Sequence, residues 1–337
     1  MRWHHLLPPL LAILLSLCGC GSDKDFRVER GSVWTTGYSV TYRSDKSLGD
    51  SILNEIHIVD ESLSTFNDSS LVSRINRGEN PVIDESFRYI FELSREVSIL
   101  SGGQFDPTLG RVVDAYGFGS TLNPPLPSQA EIDSLMNGVG ISDCKISPTG
   151  RVIRKSEATA FDFSSVAKGY AVDRIAEMLR RNMVTDYLVE IGGEIAVGGH
   201  NSDGAPWNIM IEYPSDSDIL PGERGIAVLR LSDKAVATSG NYRRYHDSPE
   251  GRIGHIIDAS TGLPVRGSTL QATVVAPSCA LADALATACM IMPPEKALLM
   301  VTEITGAEAL LVSEGSSDTL KVSFTPGFKD LLSSWSN

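Results

Sequence analysis

The segment Ser278–Met292 constrains the fold more than any other part of the chain. Cys279-Ala280-Leu281-Ala282-Asp283-Ala284-Leu285-Ala286-Thr287-Ala288 keeps a helical pattern that nothing breaks before Pro293. A helix apolar on nearly every side cannot face water, so a core must be built around it. The β-branched run Leu270–Val275 just before it reads as a buried strand. Asp283 and Thr287 are four apart, so both oxygens leave one face a turn apart. A carboxylate and a hydroxyl in such surroundings suit a small hard cation such as Mg²⁺, which takes oxygen ligands in a tight octahedron. The alternative is an aspartate near a helix start and a buried threonine bonded to the preceding turn.

Upstream, His255-Ile256-Ile257-Asp258-Ala259-Ser260-Thr261-Gly262-Leu263-Pro264 reads as a short strand entering a Gly/Pro turn, with a histidine at its head. Such a histidine is either a satisfied strand residue or a base titrating near neutrality.

With 337 residues, 42% of them hydrophobic, the chain can bury a substantial core. A formal charge of −13 argues against nonspecific binding to nucleic acid or anionic lipid. An acidic protein that handles a phosphorylated ligand needs local positive charge from a metal, a lysine or a helix N-terminus. Residues 1–20 read as a targeting segment: Arg2 and two histidines precede the apolar run Leu6–Leu17, too short for a stable membrane span. Leu17-Cys18-Gly19-Cys20 resembles a bacterial lipobox, with Cys20 as the lipid carrier. Cys18 fits less well, because Leu17 precedes it where a small residue is wanted, and an ordinary secretory signal is the other reading. Of the remaining cysteines, Cys279 and Cys289 lie about 15 Å apart on one helix and cannot pair. No Cys/His zinc spacing is present in the sequence.

In chain order, residues 21–30 read as a tether and Val33–Tyr42 as a strand. Ser47 is expected to cap a helix from Leu48 to Leu63, and Asp84 another that Gly102 ends. The loop Gly103–Gly110 sets the charge of Asp106 beside Phe105. Ser128 and Glu131 form a capping box, and two short strands flank Ser147–Gly150. Phe161–Gly169 reads as a strand running into a helix to Arg181. Lys168 in its first turn marks a phosphate site, or Ser164 is a plain cap. Tyr187–Ile191, the turn Gly192-Gly193-Glu194 and a strand to Gly199 follow, with Trp207–Ile211, Gly225–Leu231 and Ala235–Thr238 continuing the sheet. Thr238–Arg244 reads as a loop with two basic residues. The last 45 residues read as helix, strand, strand and a turn at Pro326-Gly327. With no internal repeat, these elements predict a single α+β domain over residues 31–337, its sheet mixed but mainly antiparallel, with packed helices.

Seven segments together resemble the ApbE family, the FAD:protein FMN transferases. They are Leu63-Ser64-Thr65-Phe66, Phe105-Asp106-Pro107-Thr108, Asp162…Ala167-Lys168-Gly169-Tyr170, Gly192-Gly193-Glu194, Thr238-Ser239-Gly240-Asn241-Tyr242-Arg243, His255-Ile256-Ile257-Asp258…Thr261-Gly262 and Ala282-Asp283-Ala284…Thr287. They stand in the family's order and with family-like gaps. The resemblance implies a lipid-anchored enzyme of the bacterial cell envelope, attached to the membrane through Cys20. It implies Mg²⁺-dependent transfer of the FMN half of FAD onto a Thr or Ser hydroxyl of an acceptor flavoprotein subunit, of the Nqr/Rnf type or an FMN-binding domain, with release of AMP. It puts Mg²⁺ on Asp283, Thr287 and Ser165, and FAD against Gln104, Phe105, Asp106, Asp162, Lys168 and Ile257. His255 takes the place of the base that activates the acceptor hydroxyl. The chain departs from the family at Trp34-Thr35-Thr36, where many members have Met-Gly-Thr, and at Phe66, where many have tyrosine. Ala259 replaces a frequent proline. Trp34 and Phe66 remain flat apolar surfaces able to stack on flavin or adenine. The alternatives are an FAD pyrophosphatase, with water in place of the acceptor, and a lipoprotein that binds FAD without chemistry.

Overall fold

Eight antiparallel strands lie side by side in the same order as they occur along the chain. In the computed structural model these are β1 (Phe26–Val33), β2 (Thr36–Arg43), β3 (Tyr187–Ile191), β4 (Glu194–Gly198), β5 (Lys234–Gly240), β6 (Thr269–Ala276), β7 (Glu308–Glu314) and β8 (Leu320–Phe324). The structure describes residues 25–121, 124–214, 225–241, 245–248, 251–315 and 319–335. Most of the remaining described residues are insertions into this meander, and the long ones carry the site.

One face of the sheet is covered by helices: α1 (Gly49–Leu63), α2 (Glu85–Leu100), α3 (Ala167–Arg181) and α4 (Cys279–Ile291). α4 lies on β5 and β6, and α3 packs on α4, α1, β3 and β4. As its composition requires, α4 has no exposed residue, and Ala282, Ala284, Leu285, Ala286 and Ala288 have no accessible surface. The opposite face is covered by a three-stranded sheet of Trp207–Glu212, Gly225–Leu231 and Leu332–Trp335. Its Trp207, Ile209 and Leu229 pack with Val236, Val275 and Val312 of the meander. Covered on both faces, β6 is buried along nearly its whole length rather than at alternate positions. A smaller cluster of Leu109, Val112, Phe118, Ile132 and Ile257 adjoins the site.

α3 and α4 are locked together at their starts. Both oxygens of Asp173 cap α4, accepting from the N–H groups of Cys279 at 2.7 Å and Ala280 at 2.8 Å. Gly169 of α3 comes so near that a Cβ built on it lies 2.4 Å from the Cys279 carbonyl oxygen.

The α+β class and the mainly antiparallel sheet are as the sequence predicts, and so are the Asp84 cap and the Ser128–Glu131 capping box. Other elements differ. Val33–Tyr42 is not one strand: β1 and β2 form a hairpin that turns at Trp34-Thr35, and Phe26–Arg30, expected in the tether, are paired in β1. Leu48, not Ser47, is the N-cap of α1; the Ser47 hydroxyl accepts from the Gly49 N–H at 3.2 Å. Phe161–Val166 is not a strand, and α3 begins at Ala167 without a side-chain cap. Trp207–Glu212 and Gly225–Leu231 leave the meander for the second sheet, and Thr238-Ser239-Gly240 end β5 instead of forming a loop. Cys18, Cys20, Arg243 and Arg244 lie outside the described residues.

Candidate active site

A cavity of about 340 Å³ opens where the helical layer meets the β1–β2 turn, the β3–β4 turn and the end of β5. Its lining includes His255, Asp283, Thr287, Ser165, Asp162, Lys168, Phe105, Asp106, Ile257, Trp34 and Phe66. Residues spread from 34 to 287 thus converge on one space. Gln104 is absent from the lining; its backbone carbonyl accepts from the Ala259 N–H at 3.0 Å and ties the 103–110 loop to the segment after His255.

The floor is polar and buried. Asp283, 3% exposed, accepts from the Gly169 N–H through Oδ2 at 3.1 Å, while its Oδ1 takes no hydrogen bond among the described residues. One turn along α4, the Thr287 hydroxyl lies 3.3 Å from the hydroxyl of Ser239 on β5. A carboxylate oxygen left open, two hydroxyls and the adjacent Ser165 form a set of hard oxygen donors, which fits Mg²⁺. Burial pushes Asp283 up to about 7, opposed by the nearby Lys168 ammonium and reinforced by Glu194.

Lys168 lines the cavity, and its ammonium is paired within the protein. Its Nζ pairs with Oε2 of Glu194 at 2.5 Å, and Glu194 is 3% exposed. Burial works against the ammonium, but the charges of Glu194 and Asp283 outweigh it and hold Lys168 above its ordinary range. Glu194, which the sequence offers only as part of Gly192-Gly193-Glu194, and Ser239 are site residues to which the sequence pattern gives no role. Gly192 and Gly193, at φ +61° and +101°, make the tight β3–β4 turn that brings Glu194 in.

Asp106 is committed within the protein. Oδ1 accepts from the backbone and hydroxyl of Thr108, and Oδ2 from the Ile141 N–H at 2.8 Å. Burial raises its carboxyl above the ordinary range despite these bonds. It braces the loop that sets Phe105, 3% exposed, into the wall. Asp162 bonds its own turn, accepting from the Ser164 N–H at 2.9 Å. His255 follows the hairpin strand Gly251–Gly254, its ring edge-on to Phe118 with centroids 6.2 Å apart. The mouth is apolar: Trp34 lines one side, Ile257 is buried in the wall, and Phe66 is 60% exposed. Flat rings around an oxygen-rich floor suit a planar heterocycle joined to a phosphate chain.

The chain belongs to the ApbE family, whose model matches residues 34–311. Its relatives are transferase enzymes. The FAD:protein FMN transferase of Vibrio cholerae is 32% identical over 335 residues, covering 96% of this chain and 98% of the relative. That of Escherichia coli K12 is 30% identical over 91% of this chain and 88% of its own length. Among solved structures, the apo flavinyl transferase ApbE of Pseudomonas stutzeri superposes with a TM-score of 0.82 at 29% identity, covering 93% of this chain and 98% of that one. The flavin transferase ApbE of Vibrio cholerae gives 0.81 at 29% identity over 91% and 99%.

Proposed function

We propose that this protein is an FAD:protein FMN transferase that moves the FMN half of FAD onto a Thr or Ser hydroxyl of an acceptor protein and releases AMP. One observation carries the reading: His255 lines the same cavity as the buried Asp283 and the half-buried Thr287 of α4. A base and a hard-cation floor in one space are what attack by a hydroxyl on a pyrophosphate requires.

Asp283 and Thr287, with Ser165, hold Mg²⁺, which when bound neutralises charge on the phosphoryl oxygens. Lys168, kept protonated by Glu194, adds fixed positive charge beside the pyrophosphate. Trp34, Phe66, Phe105 and Ile257 enclose the flavin ring and exclude water from its side of the cavity. His255 accepts the proton of the attacking hydroxyl. Lipidation of Cys20 holds the enzyme at a bacterial membrane in the cell envelope, where the acceptor is a flavin-carrying subunit of the Nqr/Rnf type or an FMN-binding-domain protein.

Incubation with FAD and Mg²⁺, with and without an acceptor domain, tests the reading through AMP release and covalent flavin on a gel. Both are expected only with acceptor. AMP without acceptor makes the enzyme a pyrophosphatase; no AMP in either case makes the protein a binder.

A further inference from the structure

One carboxylate on α1 holds two walls of the cavity mouth at once. Oδ1 of Asp60 accepts from the Trp34 indole N–H at 2.8 Å, and Oδ2 accepts from the Asn67 amide at 2.8 Å. Trp34 belongs to the β1–β2 turn; Asn67 follows Phe66 directly. Asn67 in turn organises its own loop, its Oδ1 accepting from the backbone and hydroxyl of Ser69 and its backbone carbonyl from Ser70 N–H. Helix, turn and loop are therefore joined through a single side chain.

Both walls need such a tie. Trp34 and Thr35 stand at φ +48° and +64°, a left-handed pair that a two-residue turn normally fills with Asn and Gly. Nothing in the turn itself favours a tryptophan there; its ring packs against the main core, and the bond to Asp60 fixes its indole N–H edge. Phe66 has 60% of its surface exposed at the cavity mouth, and its ring direction depends on the loop that Asn67 fixes.

Resting on the flavin-transfer reading, we infer that Asp60 is a positioning residue: it sets Trp34 and Phe66 as the two jaws of an aromatic clamp that receives the isoalloxazine ring. Preorganised jaws lower the ordering cost of binding, so the clamp acts on affinity and on the electronic contact between indole and flavin.

The test uses the soluble mature protein with FAD, measuring affinity by titration and emission of the bound flavin at saturation. Indole stacking quenches flavin emission, and a merely structural Asp60 would leave the saturated emission untouched. Asp60→Ala is expected to weaken FAD binding about tenfold, the scale of one lost hydrogen bond's ordering, and to brighten the bound flavin. Trp34→Phe should brighten it equally, and adding Asp60→Ala to that variant should brighten it no further. If Asp60→Ala does not fold, Asn67→Ala carries the test: it severs only the Phe66 arm and should weaken binding about threefold. Wild-type affinity and emission in folded Asp60→Ala, or wild-type affinity in Asn67→Ala, would overturn the clamp while leaving flavin transfer standing. A wild-type protein that binds no FAD overturns both.

Discussion

The backbone N–H of Gly169 donates to Oδ2 of Asp283 at 3.1 Å, across 114 residues of sequence. This bond engages one oxygen of a carboxylate that lines the cavity, and the other takes no hydrogen bond among the described residues. It exists because α3 and α4 touch at a residue without a side chain.

Gly169→Ala should therefore damage stability and the site together. Its Cβ would meet the Cys279 carbonyl at 2.4 Å, and the helices must part to admit it. A loss of about 2–3 kcal/mol is expected, as for an overpacked core. Denaturant unfolding measures it, and wild-type stability would mean the helices are not held at this distance.

Lys168→Ala should lower both FAD affinity and stability. It strands the Glu194 carboxylate in a site where it is 3% exposed. About 3 kcal/mol is expected, at the low end for breaking a buried pair because Lys168 keeps partial solvent contact. Lys168→Met combined with Glu194→Gln should recover the stability but not the FAD affinity. Thermal melts and flavin titration of the single and double variants separate the two effects.

Asp283→Ala and Thr287→Val should both lose transfer, with added Mg²⁺ rescuing Thr287→Val more. A neutral hydroxyl contributes less than a charge to a hard cation, and water replaces it. His255→Ala differs in kind: FAD binding persists, transfer falls by about 10²–10⁴, and no Mg²⁺ concentration restores it. Transfer rate against Mg²⁺ for the three variants is the measurement; full activity of Asp283→Ala at low Mg²⁺ removes the metal assignment.

Burial pushes Asp173 up to about 6 from an ordinary value of 3.8, despite the bonds it takes from Ala280 and Cys279. Between those values the folded chain keeps a proton that the unfolded chain has released. Stability from this group is thus greatest at the acid end and falls as pH rises through the window, by about 3 kcal/mol in all. Asp173→Asn removes that slope. Urea unfolding of both proteins at pH 4, 5, 6 and 7 reads the difference, and parallel curves would refute it.

Helix α4 and its polar face were legible because an all-buried helix leaves a pattern that no other element imitates. The Asp84 cap and the Ser128–Glu131 capping box were legible for a similar reason, since cap and partner lie three residues apart. What the sequence hides is long-range. Asp173 caps a helix that starts 106 residues later, and nothing near Asp173 announces it. The alternation of Trp207–Glu212 is the same whichever sheet receives it, so its transfer to the second layer is settled only by packing. Trp34-Thr35 contains no turn residue, so the sequence pattern runs through the hairpin as one strand. The first-turn position of Lys168 suggests a phosphate site but hides its ion pair, because Glu194 arrives on a different hairpin.

Strand β1 begins at Phe26, so with a lipid on Cys20 only residues 21–25 separate the anchor from the folded body. Five residues span at most about 18 Å when fully extended. An enzyme so anchored would work in a thin layer above the bilayer, where an acceptor in the same membrane would meet it in two dimensions at a high effective concentration. Freely diffusing proteins bearing the same hydroxyl gain nothing from that confinement. The shortness of the segment before β1 would in this way set which partners are modified.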